Sequence, residues 1–168
     1  MIEIRGFRPE DAAAVASWVD GPAALATWSG NSGFGWPFDA GQLLALRAAQ
    51  PGRRMFVAVE GDGPPLGLVT LLPDRPGWVV RLGLVIVAPA GRGRGAGAAM
   101  VGEALRVAFE EMGAHRVDLG VYLHNTGATR LYERLGFRHE GVRREMTLVE
   151  GEWWSAADMS ILDREWRR

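Results

Sequence analysis

The chain has 168 residues, 48% of them hydrophobic and 23% charged, with a net charge of −1, no cysteine, 23 glycines and seven tryptophans. That length suits one globular domain over 1–168 with a real core, and the near-zero charge argues against broad nucleic-acid binding. The missing cysteines exclude disulfides, thiolate catalysis and cysteine–metal sites.

Apolar runs fall short of the ~18 residues that a membrane helix needs. Glu3, Arg5 and Arg8 interrupt any signal-like start, so a cytoplasmic protein with no membrane partner is expected. Residues 2–7 alternate apolar and polar and predict a strand. Pro9, Glu10 and Asp11 suit a helix start, and the helix runs to about Val19, where Gly21-Pro22 breaks it. Residues 23–38 set Trp28, Phe34, Trp36 and Phe38 among Gly, Ser and Asn. They read equally as a loop pinned by aromatic anchors or as a wall of a substrate pocket. Asp39 fits the N-cap of a helix to about Ala49. Residues 55–60 and 65–72 form a hairpin about Gly61-Asp62-Gly63, and 78–87 add a third strand, which makes an antiparallel meander.

The chain is organised around 81–113. An apolar run meets Pro89, then a glycine- and arginine-rich loop at 91–97. An amphipathic helix follows, with Met100, Val101, Ala104, Leu105, Ala108, Phe109 and Met112 at helical spacing. Strand, glycine loop and helix together hold phosphate. Glycines let backbone N–H groups approach the anion, and the helix start adds about half a positive charge. Residues 116–123 then form a strand parallel to 78–87. His124-Asn125-Thr126-Gly127 leads into a helix over 128–135, stopped by Gly136. Residues 137–149 and 153–162 pair around Glu150-Gly151-Glu152, and the tail from 163 is polar and peripheral. Arg138, Arg143 and Arg144 read as a solvated strand face. Of Trp153 and Trp154, which face opposite sides, one belongs to the core and the other to a pocket or a contact between copies.

Gly93, Gly95 and Ala98 also satisfy G-x-G-x-x-A, with Asp118 about 20 residues on, so a dinucleotide-binding oxidoreductase competes. Against it, Asp118 falls near the start of its strand, and the chain opens with strand, helix and meander rather than repeated βαβ units.

Two spaced motifs favour another reading. Arg92-Gly93-Arg94-Gly95-Ala96-Gly97 fits R/Q-x-x-G-x-G/A. Asn125, Ala128, Leu131-Tyr132, Leu135 and Gly136-Phe137 fit N-x-x-A-x-x-L-Y-x-x-x-G-F. On these residues the chain resembles the GNAT superfamily of acyl-CoA-dependent N-acetyltransferases. The run over 141–162 looks like the branch with ribosomal-protein alanine and small-amine acetyltransferases. The resemblance implies an α/β (α+β) fold with a mixed, mostly antiparallel sheet, helices on both faces, and strands 78–87 and 116–123 splayed apart. It implies acetyl-CoA (coenzyme A) as co-substrate, no metal, and a small-molecule amine or a protein N-terminus as acceptor. A homodimer is compatible with it.

Residue by residue, the resemblance implies that backbone groups of Val85, Ile86 and Val87 bind pantetheine and polarise the thioester. Arg92, Gly93, Arg94, Gly95, Ala96, Gly97 and Ala98 would hold the pyrophosphate. Asn125 would cap its helix and touch the cofactor, and Tyr132 would protonate the leaving thiolate. The strand before the loop lacks the glutamate base that many relatives carry. Water, an acid from another element, or His124 would have to take that proton. The same gap leaves a non-catalytic acyl-CoA-binding protein as an alternative.

Overall fold

A computed structural model describes residues 1–167. Seven strands form one sheet in the order β1-β2-β3-β4-β5-β7-β6. β2 (Arg54–Glu60), β3 (Gly67–Arg75) and β4 (Val79–Val87) make the antiparallel meander, and β1 (Ile2–Gly6) pairs antiparallel with β2 at its edge. β5 (Arg116–Tyr122) runs parallel to β4, and β7 (Glu152–Leu162) pairs antiparallel with β5 and with the edge strand β6 (Arg138–Val149). A single parallel pair in an otherwise antiparallel sheet is not the repeated βαβ of a dinucleotide fold, which removes the oxidoreductase reading.

Both faces of the sheet are covered. On one, α4 (Ala96–Arg106) and α5 (Thr126–Arg134) bury Met100, Val101, Leu105 and Tyr132 against Val69, Leu71, Val117 and Met159. On the other, α1 (Ala12–Ser17), α2 (Pro22–Ser29) and α3 (Ala40–Ala49) bury Val15, Leu25 and Leu43 against Met55, Val57, Val59 and Leu68. The period-2 alternation of β2 sends Val57 and Ala58 to opposite cores. No helix among the described residues is long and apolar enough to cross a membrane.

Three segments depart from the sequence reading. Gly21-Pro22 does not simply end a helix, because Pro22 opens α2. Proline has no N–H to lose in a first turn and its φ is already helical, so a breaker by composition is a starter by position. The helix after the glycine loop closes in a π turn over Val107–Glu111, with the Met112 N–H donating to the Val107 carbonyl at 3.0 Å. The polar tail is not peripheral throughout. It forms α6 (Asp163–Trp166), which stacks Trp166 on Phe109 with ring centroids 5.4 Å apart.

Candidate active site

The site is a gap in the sheet. β4 and β5 pair only at Val79↔Arg116, Val80↔Val117 and Arg81↔Asp118. Beyond these three pairs the strands separate, and the β5-facing edge of β4 keeps its backbone donors and acceptors free of ladder bonds. A bulge in β4 adds to the divergence. Thr70↔Gly83 and Leu68↔Ile86 leave Leu84 and Val85 opposite Val69 alone, and Leu84 takes a left-handed φ of 52°. An extra residue bends and twists a strand. Here it does so where the partner strand has already left.

Two cavities fill the gap and meet at Thr27, Trp28, Val85, Asn125 and Tyr132, which line both. The larger, about 820 Å³, runs along Val85, Ile86 and Val87 to the glycine loop and the start of α4. Gly95 is the N-cap residue of α4 and holds φ at 85°, a conformation that a side chain would strain. The Ala99 N–H is the first to be claimed within the helix, by the Gly95 carbonyl at 3.0 Å. The N–H groups of Ala96, Gly97 and Ala98 are therefore left at the mouth of the cavity, where the helix dipole is positive. Arg92 and Gly93 line the same end, as does Arg134, which no motif had singled out. Arg94 does not. Its guanidinium is tied to Glu60 and to the Ala90 carbonyl, so this loop residue braces the turn against β2 instead of facing the cavity. Asn125 caps α5 by accepting from the Ala128 N–H at 3.4 Å, and it also borders both cavities.

Tyr132 projects from α5 into the core side of the junction. It is 6% exposed, with its ring edge-on to Phe137 at 5.7 Å. Burial pushes its phenol well above the ordinary tyrosine range, because the low-dielectric surroundings penalise the phenolate. The group is therefore held as a proton-bearing hydroxyl.

The smaller cavity, about 400 Å³, lies on the other side of the junction. The segment read as a loop over 23–38 begins as the helix α2, and of its aromatic residues Trp28 reaches the cavity wall. Trp28 stacks on Phe34 at 5.7 Å and meets Phe38 edge-on at 5.3 Å. Residues 27–32 line the cavity, and the buried Trp28 indole N–H has no hydrogen-bond partner among the described residues. A bound molecule offering an acceptor there would relieve an unsatisfied donor.

Arg143 is exposed, as read from the sequence, and it also borders the cavity. A second bulge sets residues 144–146 of β6 opposite Ser155 alone, and this brings Arg143 and Met146 to the cavity. Trp153 is exposed, while Trp154 packs edge-on to Tyr122 at 5.2 Å and to His124 at 4.4 Å; neither tryptophan lines the cavity. Among the described residues, the lining of this smaller cavity contains no carboxylate and no imidazole. His124 reaches it indirectly, through a 3.0 Å hydrogen bond between its Nε2 and the Thr27 hydroxyl.

A splayed parallel pair beside a glycine loop at a helix start is the arrangement that the two motifs imply. The model described as the Acetyltransferase (GNAT) family matches residues 22–137. The chain belongs to the GNAT acetyltransferase family. It is 29% identical over 115 residues to the spermidine N(1)-acetyltransferase of Vibrio cholerae, covering 67% of this chain and 65% of that protein. It is 32% identical over 109 residues to the phosphinothricin N-acetyltransferase of Streptomyces coelicolor, covering 62% and 63%. The chain spans between 39% and 65% of the length of the curated relatives it matches. Among solved structures, a spermidine N-acetyltransferase from Vibrio cholerae in complex with CoA and spermine superposes with a TM-score of 0.84 at 23% identity, covering 99% of this chain and 98% of that one. That likeness is one of fold: a seven-stranded, mostly antiparallel sheet with helices on both faces, as the GNAT resemblance implies.

Proposed function

We propose that this GNAT protein transfers the acetyl group of acetyl-CoA to an amine by direct attack within a ternary complex. The observation that carries the reading is the meeting of two cavities at Tyr132, one shaped for a phosphate-bearing thioester and the other for an acceptor. The larger cavity suits coenzyme A for chemical reasons. The free edge of β4 at Val85 and Val87 can hydrogen-bond an amide-rich arm as a strand would, while Ile86 between them turns its carbonyl towards β3. The N–H groups at 96–98, with Arg92 and Arg134, suit a pyrophosphate.

Acetyl-CoA supplies an activated acyl carbon. As the amine nitrogen bonds to it and the C–S bond breaks, one proton leaves the amine and one reaches the sulfur. A backbone N–H on the unpaired edge of β4 stabilises the charge that builds on the carbonyl oxygen. The Tyr132 hydroxyl donates to the departing sulfur. The amine proton leaves by way of Thr27 and His124, the imidazole that reaches the cavity wall.

Thermal unfolding with added coenzyme A tests the binding half. At 100 times its dissociation constant the ligand should add about 2.7 kcal/mol of stability. An unchanged melting temperature at millimolar acetyl-CoA would end the reading. Release of free thiol in the presence of amines tests the chemical half.

The missing acid supports a second reading, in which the chain binds acyl-CoA without turning it over. Tight binding combined with no thiol release across a broad amine panel would favour it. The relatives described above do not choose an acceptor, being named for spermidine in one case and phosphinothricin in the other.

A further inference from the structure

Among the described residues, the acceptor-side cavity is lined by three arginines, Arg53, Arg81 and Arg143, and by no acid. Arg81 pairs with Asp118 at 3.2 Å and Arg143 with Asp158 at 3.0 Å; both aspartates line a neighbouring cavity, which the two arginines border as well. The Nη2 atoms of Arg81 and Arg143 each lie 3.1 Å from the place a Cβ would occupy on Gly120. The bare backbone of Gly120 thus lets two guanidinium groups close one end of the cavity.

Arg53 is different. It enters from the turn before β2, is partly buried, and has only neutral partners. Its Nε donates to Gln50 Oε1 at 2.8 Å and its Nη1 to the Thr70 hydroxyl at 2.6 Å, and that hydroxyl donates to the Gly83 carbonyl at 3.1 Å. No carboxylate among the described residues pairs with it. A guanidinium carries five N–H donors, so most of those on Arg53 stay uncommitted after these bonds. Its Nη1 stands 3.9 Å from the Cβ position of Gly83, one residue before the β4 bulge. A partly desolvated cation without a counter-ion is costly unless something charged arrives to pair with it. Burial lowers the Arg53 pKa, which is the expected sign for that situation.

We propose that the acceptor is a small amine that also carries an oxyanion, a carboxylate or a phosphonate, and that Arg53 holds this group with Arg81 and Arg143 completing its seat. The assignment rests on the acetyl-transfer reading above and names its substrate class. A guanidinium fork matches either oxyanion bidentately. Arg53, the cation of the three without an acidic partner among the described residues, in a cavity lined by no acid, disfavours a polycation such as spermidine.

The test uses the full chain with acetyl-CoA and matched probes. L-Alanine, 4-aminobutyrate and 3-aminopropylphosphonate carry the anion at different spacings and of different kinds. Alaninamide, 4-aminobutanamide and propylamine are their neutral counterparts in that order, and 1,4-diaminobutane and spermidine are the cationic arm. At least one anionic probe should exceed its neutral counterpart and both polyamines in kcat/KM by ten-fold or more. Arg53→Gln should bring that ratio close to one, mainly by raising KM for the anionic probe, and Arg53→Lys should restore part of it. Melting curves establish that each variant is folded, and Arg143→Gln offers a second, more exposed site at which the same loss of preference is expected.

If no probe turns over, calorimetric titration of the anionic probes into the CoA-bound protein decides. Binding that Arg53→Gln abolishes supports the assignment, and no binding overturns it. Equal or better turnover of the polyamines overturns it too, while leaving acetyl transfer intact. Failure of coenzyme A itself to bind would instead remove the acetyl-transfer reading.

Discussion

Replacing Tyr132 by phenylalanine is expected to lower kcat by about 10²- to 10⁴-fold, the range that a positioned proton donor contributes, with little change in the affinity for coenzyme A. Phenylalanine keeps the ring that packs on Phe137 and the helix that carries it, so the variant should fold. Only the hydroxyl at the junction of the two cavities is lost. A group that acts on the leaving sulfur affects the transition state and not the ground state, so kcat and kcat/KM should fall together. Unchanged kcat in steady-state assays would remove Tyr132 from the mechanism. The same residue makes a second, independent prediction. Its folded-state pKa is raised by burial above the unfolded value of about 10. The folded protein therefore retains a proton there that the unfolded chain gives up as pH rises past about 10. Stability from this group is full below that pH and is lost above it. Chemical denaturation of the native protein across pH 9 to 11, a range of about two units centred on the ordinary tyrosine value, should show a decline that Tyr132→Phe makes shallower.

Both sides of that junction depend on contacts distant in sequence, and this explains what was legible in the chain beforehand. Local chemistry was readable. The glycine loop, the Asn125 cap, the Asp39 cap and the alternation of β2 each follow from residues within a few positions of one another. So does the meander, since three apolar runs separated by turn residues leave no room for crossover helices. The acceptor side was not readable, because its residues come from five separate places. Arg53 precedes β2, Arg81 sits on β4, Gly120 on β5, Arg143 on β6 and Trp28 on α2. Nothing near Arg53 distinguishes it from its neighbour Arg54, which pairs with Glu111 at the surface. Only the register of the strands decides which of the two adjacent arginines turns inward. Arg143 is a related case. Its strand reads as polar and exposed, and the bulge after it depends on pairing with β7. Arg94 shows the opposite limit. The motif marks the loop correctly, but a charged side chain in a phosphate loop is free to pair elsewhere, and Glu60 is within its reach.

Substituting alanine for Asp11 should produce the largest loss of stability, about 3 kcal/mol. Asp11 is 3% exposed and takes two hydrogen bonds from the Arg5 guanidinium, at 2.8 and 2.9 Å, and one from the Arg8 N–H at 2.7 Å. Removing one member of a buried ion pair typically costs ~3–5 kcal/mol. Arg5 keeps 26% of its side chain in solvent, which places the expected value at the low end. For a protein of this size the melting temperature should drop by roughly 6–12 °C. The loss should also reach the site. Asp11 ties the end of β1 to the turn that launches α1, and the chain from there carries Trp18, Val19, Thr27 and Trp28 into the cavity walls. A wall held less firmly should raise KM for both substrates more than it lowers kcat. Acid titration separates the ion pair from mere packing. Burial alone would raise the Asp11 pKa, but hydrogen bonds from Arg5 and Arg8 outweigh it and hold the carboxyl below its ordinary value. Its contribution is therefore full above about pH 4 and disappears as the pH falls through the folded-state value. The stability gap between the native protein and Asp11→Ala should narrow on acidification below about pH 4. A gap that stayed constant through that range would mean that Asp11 acts through its volume and not its charge.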